Sequence, residues 1–374
     1  MGEKPSLLSE GEEIESFLTE LEKDAQVKEI AGLESGFANL SCSLNGVLPG
    51  LYLLIGSPSC GKSAFVKQFC DQVAQSNGVP VIFYAFAETK KELRIRTLAR
   101  LSGLENREIR RGSPFVLHWY GVPKRRGPDP ERMPPSWEKL RAAAEEARSW
   151  LDLIYLFEAD EKTAFKEIEE QVRKVKEIKG SEKVMVAIDD SQRLGHSDHG
   201  LDERLPLVAE QLQGMAVRLQ VPVLATWPDL RREADRFSPQ GWAERVAAAD
   251  VTLVMEEDPE RTKKLTEPNR AINIHIVKNR GGEKGKLFFD FTPAFSKFLF
   301  LTIPGPGWRG KRSDGWMVLP LCVISFTLTI SGLFRKLSRA FRNDTILPLL
   351  LTRVSRDEQA IRRDSHTGYL GVLP

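Results

Sequence analysis

Gly56-Ser57-Pro58-Ser59-Cys60-Gly61-Lys62-Ser63 is the stretch on which the reading of this chain turns. The pattern GxxxxGKS gains its meaning from what flanks it. Residues 51–55 (Leu-Tyr-Leu-Leu-Ile) form a short apolar run, and Phe65, Val66, Phe69 and Val73 recur at helical spacing after it. A strand that breaks into a Gly-containing turn and then opens a helix gathers free backbone N–H groups at one point, which is what a phosphate group needs. In such a loop the lysine, Lys62, neutralises the β and γ phosphates and the hydroxyl of Ser63 holds Mg2+. All eight residues from Gly56 to Ser63 are therefore candidate nucleotide contacts, and ATP with Mg2+ is the expected ligand pair.

Outward from this loop, short apolar runs alternate with longer amphipathic stretches. Strands are predicted at 51–55, 81–86, 154–157, 184–188, 221–226, 251–255, 272–277 and 287–291, and helices near 64–75, 90–102, 137–150, 161–179 and 204–219. Near-continuous apolar strands separated by helices predict an α/β domain whose largely parallel sheet is covered by helices on its faces. A Pro-rich basic stretch, 122–135, reads as a surface loop. The strand 184–188 ends in Asp189, a carboxylate delivered to the carboxyl edge of the sheet, where an acid that supports Mg2+ belongs; Asp190 beside it reads as a loop residue. Glu88, just past the strand 81–86, is the candidate for orienting or deprotonating the attacking water, with helix capping as its plain alternative. Lys278 and Arg280 stand on a tight Gly-Gly hairpin. They read either as solvated charges or as cations offered to the γ-phosphate of a neighbouring subunit.

Composition sets the frame for these motifs. The chain has 374 residues, 41% hydrophobic and 28% charged, with a net charge of only +2, so any nucleic-acid contact must come from local patches rather than from an overall positive field. Four scattered cysteines form no CxxC pair, which argues against a zinc site or a disulfide framework and fits a reducing, cytoplasmic setting. Near the N-terminus, Ser9 with Glu12 reads as a capping box, and Ile14, Phe17, Leu18 and Leu21 mark one apolar face of a short helix. That helix docks either on its own domain or on a neighbouring subunit. Three segments are expected: a linker helix at 1–29, an ATPase domain at 30–303, and a basic, partly hydrophobic tail at 304–374 that begins at a Pro-Gly run. Residues 316–334 carry no charge, but Pro320 and several hydroxyl residues argue against a membrane span.

The order of these motifs resembles the RecA-type motor domain of DnaB-like replicative helicases. The resemblance runs from Ile30 to Phe300 through Ala31 to Phe37 and Leu48-Pro49-Gly50, the strand 80–84 with Glu92-Leu93 and Arg100 to Gly103, Ile188-Asp189 with Gln192, Val221 to Val223, Ala249-Asp250-Val251 and Lys278-Asn279-Arg280. It implies a RecA-like P-loop NTPase that hydrolyses ATP while moving on or unwinding DNA, assembled as a homo-oligomeric, hexameric ring with nucleotide between subunits. Arg280 then acts on a neighbour's nucleotide with Lys278 beside it. The loops 193–204 and 229–241 would face single-stranded DNA through Arg193, His196, His199, Arg204, Arg231, Arg232 and Arg236. The stretch before Ile30 is too short for that family's N-terminal domain, so the expectation is a motor domain without it. Two departures predict slow hydrolysis. Ala87 stands where the family has its catalytic Glu, with Glu88 one place later, in a Phe86-Ala87-Glu88-Thr89 stretch similar to a clock-type Phe-Glu-Glu-Thr; and Thr226-Trp227-Pro228 stands where helicases place a polar sensor. The alternative expectation is a RecA-, RadA- or clock-type regulatory ATPase with weak hydrolysis, acting as a nucleotide-dependent assembly switch.

Overall fold

Nine strands form one sheet in the order β3-β2-β4-β5-β1-β6-β7-β8-β9 in the computed structural model, which describes residues 9–25, 30–111, 135–195, 200–229 and 246–301. The strands are β1 (Gly50–Gly56), β2 (Val81–Ala85), β3 (Ile154–Glu158), β4 (Met185–Asp189), β5 (Pro222–Pro228), β6 (Val251–Glu257), β7 (Arg270–Asn279), β8 (Gly285–Thr292) and β9 (Lys297–Leu301). The six from β3 to β6 in the sheet order run parallel, and β7, β8 and β9 add an antiparallel meander. All eight expected strands are present. The ninth, β9, lies against β8 as the edge of the meander.

The helices are α1 (Glu10–Ala25), α2 (Ala38–Leu44), α3 (Lys62–Asn77), α4 (Lys90–Ser102), α5 (Asn106–Arg111), α6 (Pro135–Glu146), α7 (Arg148–Leu151), α8 (Phe165–Lys179), α9 (Leu201–Leu219) and α10 (Pro259–Thr262). The single helix expected at 137–150 is two, with Ala147 between them as the N-cap of α7. Glycines in the left-handed conformation close α3, α4 and α8 at Gly78, Gly103 and Gly180, where the absence of a Cβ makes that conformation accessible. Thr89 and Glu92 form a capping box that starts α4.

Alternation along β1 splits the core in two. Tyr52 and Leu54 face a cluster with α2, α3 and the aromatic residues Phe289, Phe291 and Phe298 of the meander, whereas Leu51, Leu53 and Ile55 face one with α8 and α9. Central strands β1, β2 and β4 are buried along their whole length, as their unbroken apolar runs predict; β3 is only half-buried because it is an edge. In α1, Ile14, Phe17, Leu18 and Leu21 are exposed, so the apolar stripe read from the sequence is not covered within this chain among the described residues. Among those residues no helix is long and apolar enough to cross a membrane; 316–334 lies outside them.

Candidate functional site

Parallel strands bring their carboxyl ends to one edge, and the register fixes which residues meet there. Gly56 at the end of β1 pairs with Pro228 of β5, and Ala85 at the end of β2 pairs with Asp189 of β4. A cavity of about 540 Å³ opens at this edge, lined among others by Pro58, Ser59, Gly61, Lys62, Ser63, Glu88, Asp190 and Gln192. A second cavity of about 500 Å³, lined by Ala74, Ala143 and Trp150 among others, contains none of the candidate residues.

The loop takes its shape from positive-φ backbone at two places. Ser59 and Gly61 adopt positive φ angles of 62° and 104°. A Cβ at Gly61 would lie 3.0 Å from Phe298 Cζ and 3.1 Å from Phe291 Cε1, so both the conformation and the space require glycine. Arg270, at the start of β7, donates to the Ser59 carbonyl at 2.7 Å and stacks on the Phe291 ring. No side chain caps the first turn of α3, which leaves its amides for a bound anion. Lys62 Nζ donates to the carbonyls of Gly56 at 2.7 Å and Ser57 at 3.0 Å, which holds the ammonium at the mouth of the loop.

Asp189 is 1% exposed. Its Oδ1 accepts from the Thr226 hydroxyl at 2.7 Å, while Oδ2 is buried with no hydrogen-bond partner. Burial pushes this carboxyl up to about 6, with Asp190 and Glu88 adding repulsion and the Ser63 and Thr226 hydroxyls working against the rise. An unsatisfied carboxylate oxygen beside a serine hydroxyl is a hard-oxygen donor set of the kind Mg2+ takes. Asp190, a loop residue as expected, also lines the cavity, in the left-handed conformation at φ 60°, its N–H bound to Thr226 Oγ1 at 2.7 Å and its carboxylate to Gln192.

Glu88 lines the cavity, half-buried, whereas Ala87 is exposed. The carboxylate of Glu88 is held by a two-pronged ion pair to Arg96 of α4, with Arg96 Nε at 2.8 Å. Arg96 also donates to Ser296 Oγ at 3.0 Å. The capping alternative for Glu88 is filled by Thr89 and Glu92. Ala64, Arg96, Arg270, Phe291 and Pro293 are the cavity residues that the sequence reading missed; the signal available was the position of Arg96 two helical turns beyond the Thr89 cap, on the side of α4 that turns back toward Glu88.

Lys278 and Arg280 are not in this cavity. Strand β7 runs antiparallel to β6, so it ends beside Val251 and Tyr52, four residues back along β1 from Gly56, roughly 13 Å at 3.3 Å per residue. Lys278 Nζ donates to the carbonyls of Ala247 at 2.8 Å and Val246 at 3.3 Å, and burial lowers its pKa. Arg280 is 64% exposed and pairs with Asp250. Of the expected DNA-facing cations, Arg193 donates to the Phe86 carbonyl and Arg204 to that of Gln192; His196, His199, Arg231, Arg232 and Arg236 lie outside the described residues.

Comparison with known proteins places this geometry. Residues 32–299 match the family described as the DnaB-like helicase C terminal domain. The chain is 26% identical over 209 residues to the replicative DNA helicase DnaB of Nostoc sp., covering 55% of this chain and 21% of that protein. It is 25% identical over 283 residues to the replicative DNA helicase DnaB of Pasteurella multocida, covering 72% of this chain and 55% of that protein. It therefore spans between about a fifth and about half of these relatives' lengths. The solved structure of a DnaB-like replicative helicase, studied with its interactions with primase, superposes with a TM-score of 0.60 at 20% identity, covering 77% of this chain and 68% of that one, and so shares the fold. The family match extends over well more than half of the sequence, from before β1 into β9, and on that ground the chain belongs to the DnaB-like helicase C-terminal domain family.

Proposed function

We propose that this chain is a cytoplasmic ATP-hydrolysing motor that works as a ring, a hexamer by its family resemblance, and couples turnover to translocation on or unwinding of single-stranded DNA. The observation that carries the reading is a division of parts. One edge of the sheet brings Lys62, Ser63 and Glu88 to a single cavity with the carboxylate of Asp189 buried beside Ser63, and the exposed cation that would complete it, Arg280, lies toward the opposite end of the strands, where another copy could use it. In this reading the P-loop amides and Lys62 hold the phosphates, and Ser63 and Asp189 hold Mg2+, which when bound screens phosphate charge. Glu88 holds and orients the water, and Arg280 of one copy reaches the nucleotide of the next. Lys278 acts at one remove, tying the strand end that carries Arg280 to the carbonyls of Val246 and Ala247. The exposed apolar face of α1 suits contact with a neighbouring subunit.

The test is ATP turnover by the full chain with and without single-stranded DNA. DNA-stimulated turnover that is lost in both Lys62→Ala and Arg280→Ala is the expected result. A second reading, a nucleotide-dependent assembly switch with weak hydrolysis, draws support from the Arg96 fork that holds Glu88. ATP binding without DNA-stimulated turnover, unchanged by Glu88→Gln, would establish that reading and overturn the motor.

A further inference from the structure

We propose that Asp250 is the positioning residue for Arg280, aiming its guanidinium away from its own subunit and toward the nucleotide of the neighbouring copy. The inference rests on the reading that Arg280 acts between subunits. Asp250 immediately precedes β6 and is locked to the first residues of β1. Its N–H donates to the Leu51 carbonyl at 2.9 Å, and its Oδ2 accepts from Leu51 N–H at 2.8 Å. The other carboxylate oxygen, Oδ1, faces Arg280 Nη1 at 2.9 Å, and the Asp250 carbonyl accepts from Arg280 N–H at 3.0 Å. One residue thus grips both the backbone and the side chain of Arg280 while being itself gripped by the strand that leads to the P-loop.

The surroundings are built to keep that grip. Gly50 has φ 149°, and a Cβ there would lie 2.7 Å from Asp250 Oδ2 and 3.1 Å from its Cγ, so only glycine leaves the carboxylate its place. Asn279 Nδ2 ties the turn to the carbonyls of Ser43 at 3.0 Å and Glu283 at 3.1 Å, and Lys278 ties the end of β7 to Ala247. What stays open is the outer part of Arg280. Its side chain is 64% exposed against 18% for Asp250. A guanidinium has five N–H donors, so one Nη used on Asp250 leaves a face for phosphoryl oxygens. An ion pair this exposed adds little to stability, and its consequence is direction rather than cohesion.

The experiment mixes subunits of the full chain, each variant defective in one half of a shared site, and reads ATP turnover. Lys62→Ala lacks the nucleotide-holding half but keeps Arg280; Asp250→Asn keeps an acceptor for Leu51 N–H but loses the charge that holds Arg280. Alone, Asp250→Asn is expected to lose about tenfold or more in turnover, the scale of a misplaced catalytic group, with nucleotide affinity changed less than about threefold. Mixed with Lys62→Ala it recovers turnover as Arg280→Ala mixed with Lys62→Ala does, and Asp250→Asn added to Arg280→Ala costs nothing further. Wild-type turnover in Asp250→Asn would overturn the proposal. So would a silent mixture where the Arg280→Ala mixture recovers, or a further loss in the double variant, since either points to a defect in the fold. If the Arg280→Ala mixture itself recovers nothing, the shared-site reading fails and takes this proposal with it. Should Asp250→Asn not fold, Asp250→Glu, which moves the charge outward by one methylene, replaces it with the same expected outcomes.

Discussion

The Thr226 hydroxyl donates to Asp189 Oδ1 at 2.7 Å and accepts from the Asp190 N–H at the same distance, so one side chain of β5 fixes two consecutive acids at the end of β4. Its neighbour Trp227 points the other way, into the core between the sheet and α9. Thr226→Val keeps the shape and removes both bonds, leaving a second unsatisfied oxygen on a buried carboxylate that already has one. The expected cost is about 1–3 kcal/mol in denaturant unfolding, with weakened Mg2+-dependent nucleotide binding. Thr226→Ser restores most of both, and a Thr226→Val protein of wild-type stability and affinity would refute the role.

Asp189 carries a pH signature of its own. Its carboxyl lies at about 6 in the folded chain against an ordinary value of 3.8, so the folded state binds the proton more tightly than the unfolded one. Stability from this group is therefore full below the unfolded value and is lost as pH rises from about 4 to about 6. Asp189→Asn removes the burden and is expected to be more stable than wild type above pH 6 by on the order of 1–3 kcal/mol, while losing Mg2+-dependent nucleotide binding. Thermal melts across this pH range, without nucleotide, check it. A variant less stable than wild type at neutral pH would show that the amide cannot replace the bonds to Thr226.

Beneath the P-loop helix lies a charged cluster closed to solvent. Lys67 and Arg100 both pair with Asp71, and Thr97 bonds to Asp71 at 2.7 Å and to Lys67 at 2.7 Å. Asp71→Ala would leave two buried cations without their carboxylate, an expected loss of about 3–5 kcal/mol. Guanidinium titration measures it, and a loss below about 1 kcal/mol would mean that the cations find other partners.

Glu88 is expected to separate binding from turnover. Glu88→Gln keeps a polar group of the same size at the cavity wall and should retain nucleotide affinity while lowering turnover by on the order of a hundredfold. Arg96→Ala frees the carboxylate from its fork and is expected to lower turnover less than Glu88→Gln does, since the carboxylate stays while its orientation loosens. Equal turnover in wild type and Glu88→Gln would assign Glu88 to the scaffold.

Much of this was legible without coordinates because it is local. The P-loop, the strand ending in Asp189 and the helix-strand alternation follow from spacing and hydrophobic runs, which adjacent residues specify by themselves. The exposure of α1's apolar face was open, since a helix's stripe says that it wants a partner and not whether its own chain supplies one. The split at Ala147 and the edge strand β9 escaped, because α7 packs on α3, distant in sequence, and β9 is defined by its pairing with β8.

What the sequence by itself determined is the α/β class, together with the candidate phosphate loop and the candidate acid Asp189, each written in a few contiguous residues and their periodicity. Only the tertiary structure decided which side chains meet. It placed Glu88 rather than Ala87 at the cavity, paired it with Arg96 and made Asp190 a wall of the site. It carried Arg280 to the far edge, onto Asp250, because β7 runs back along β6 and an antiparallel strand delivers its last residues to the opposite end of the sheet.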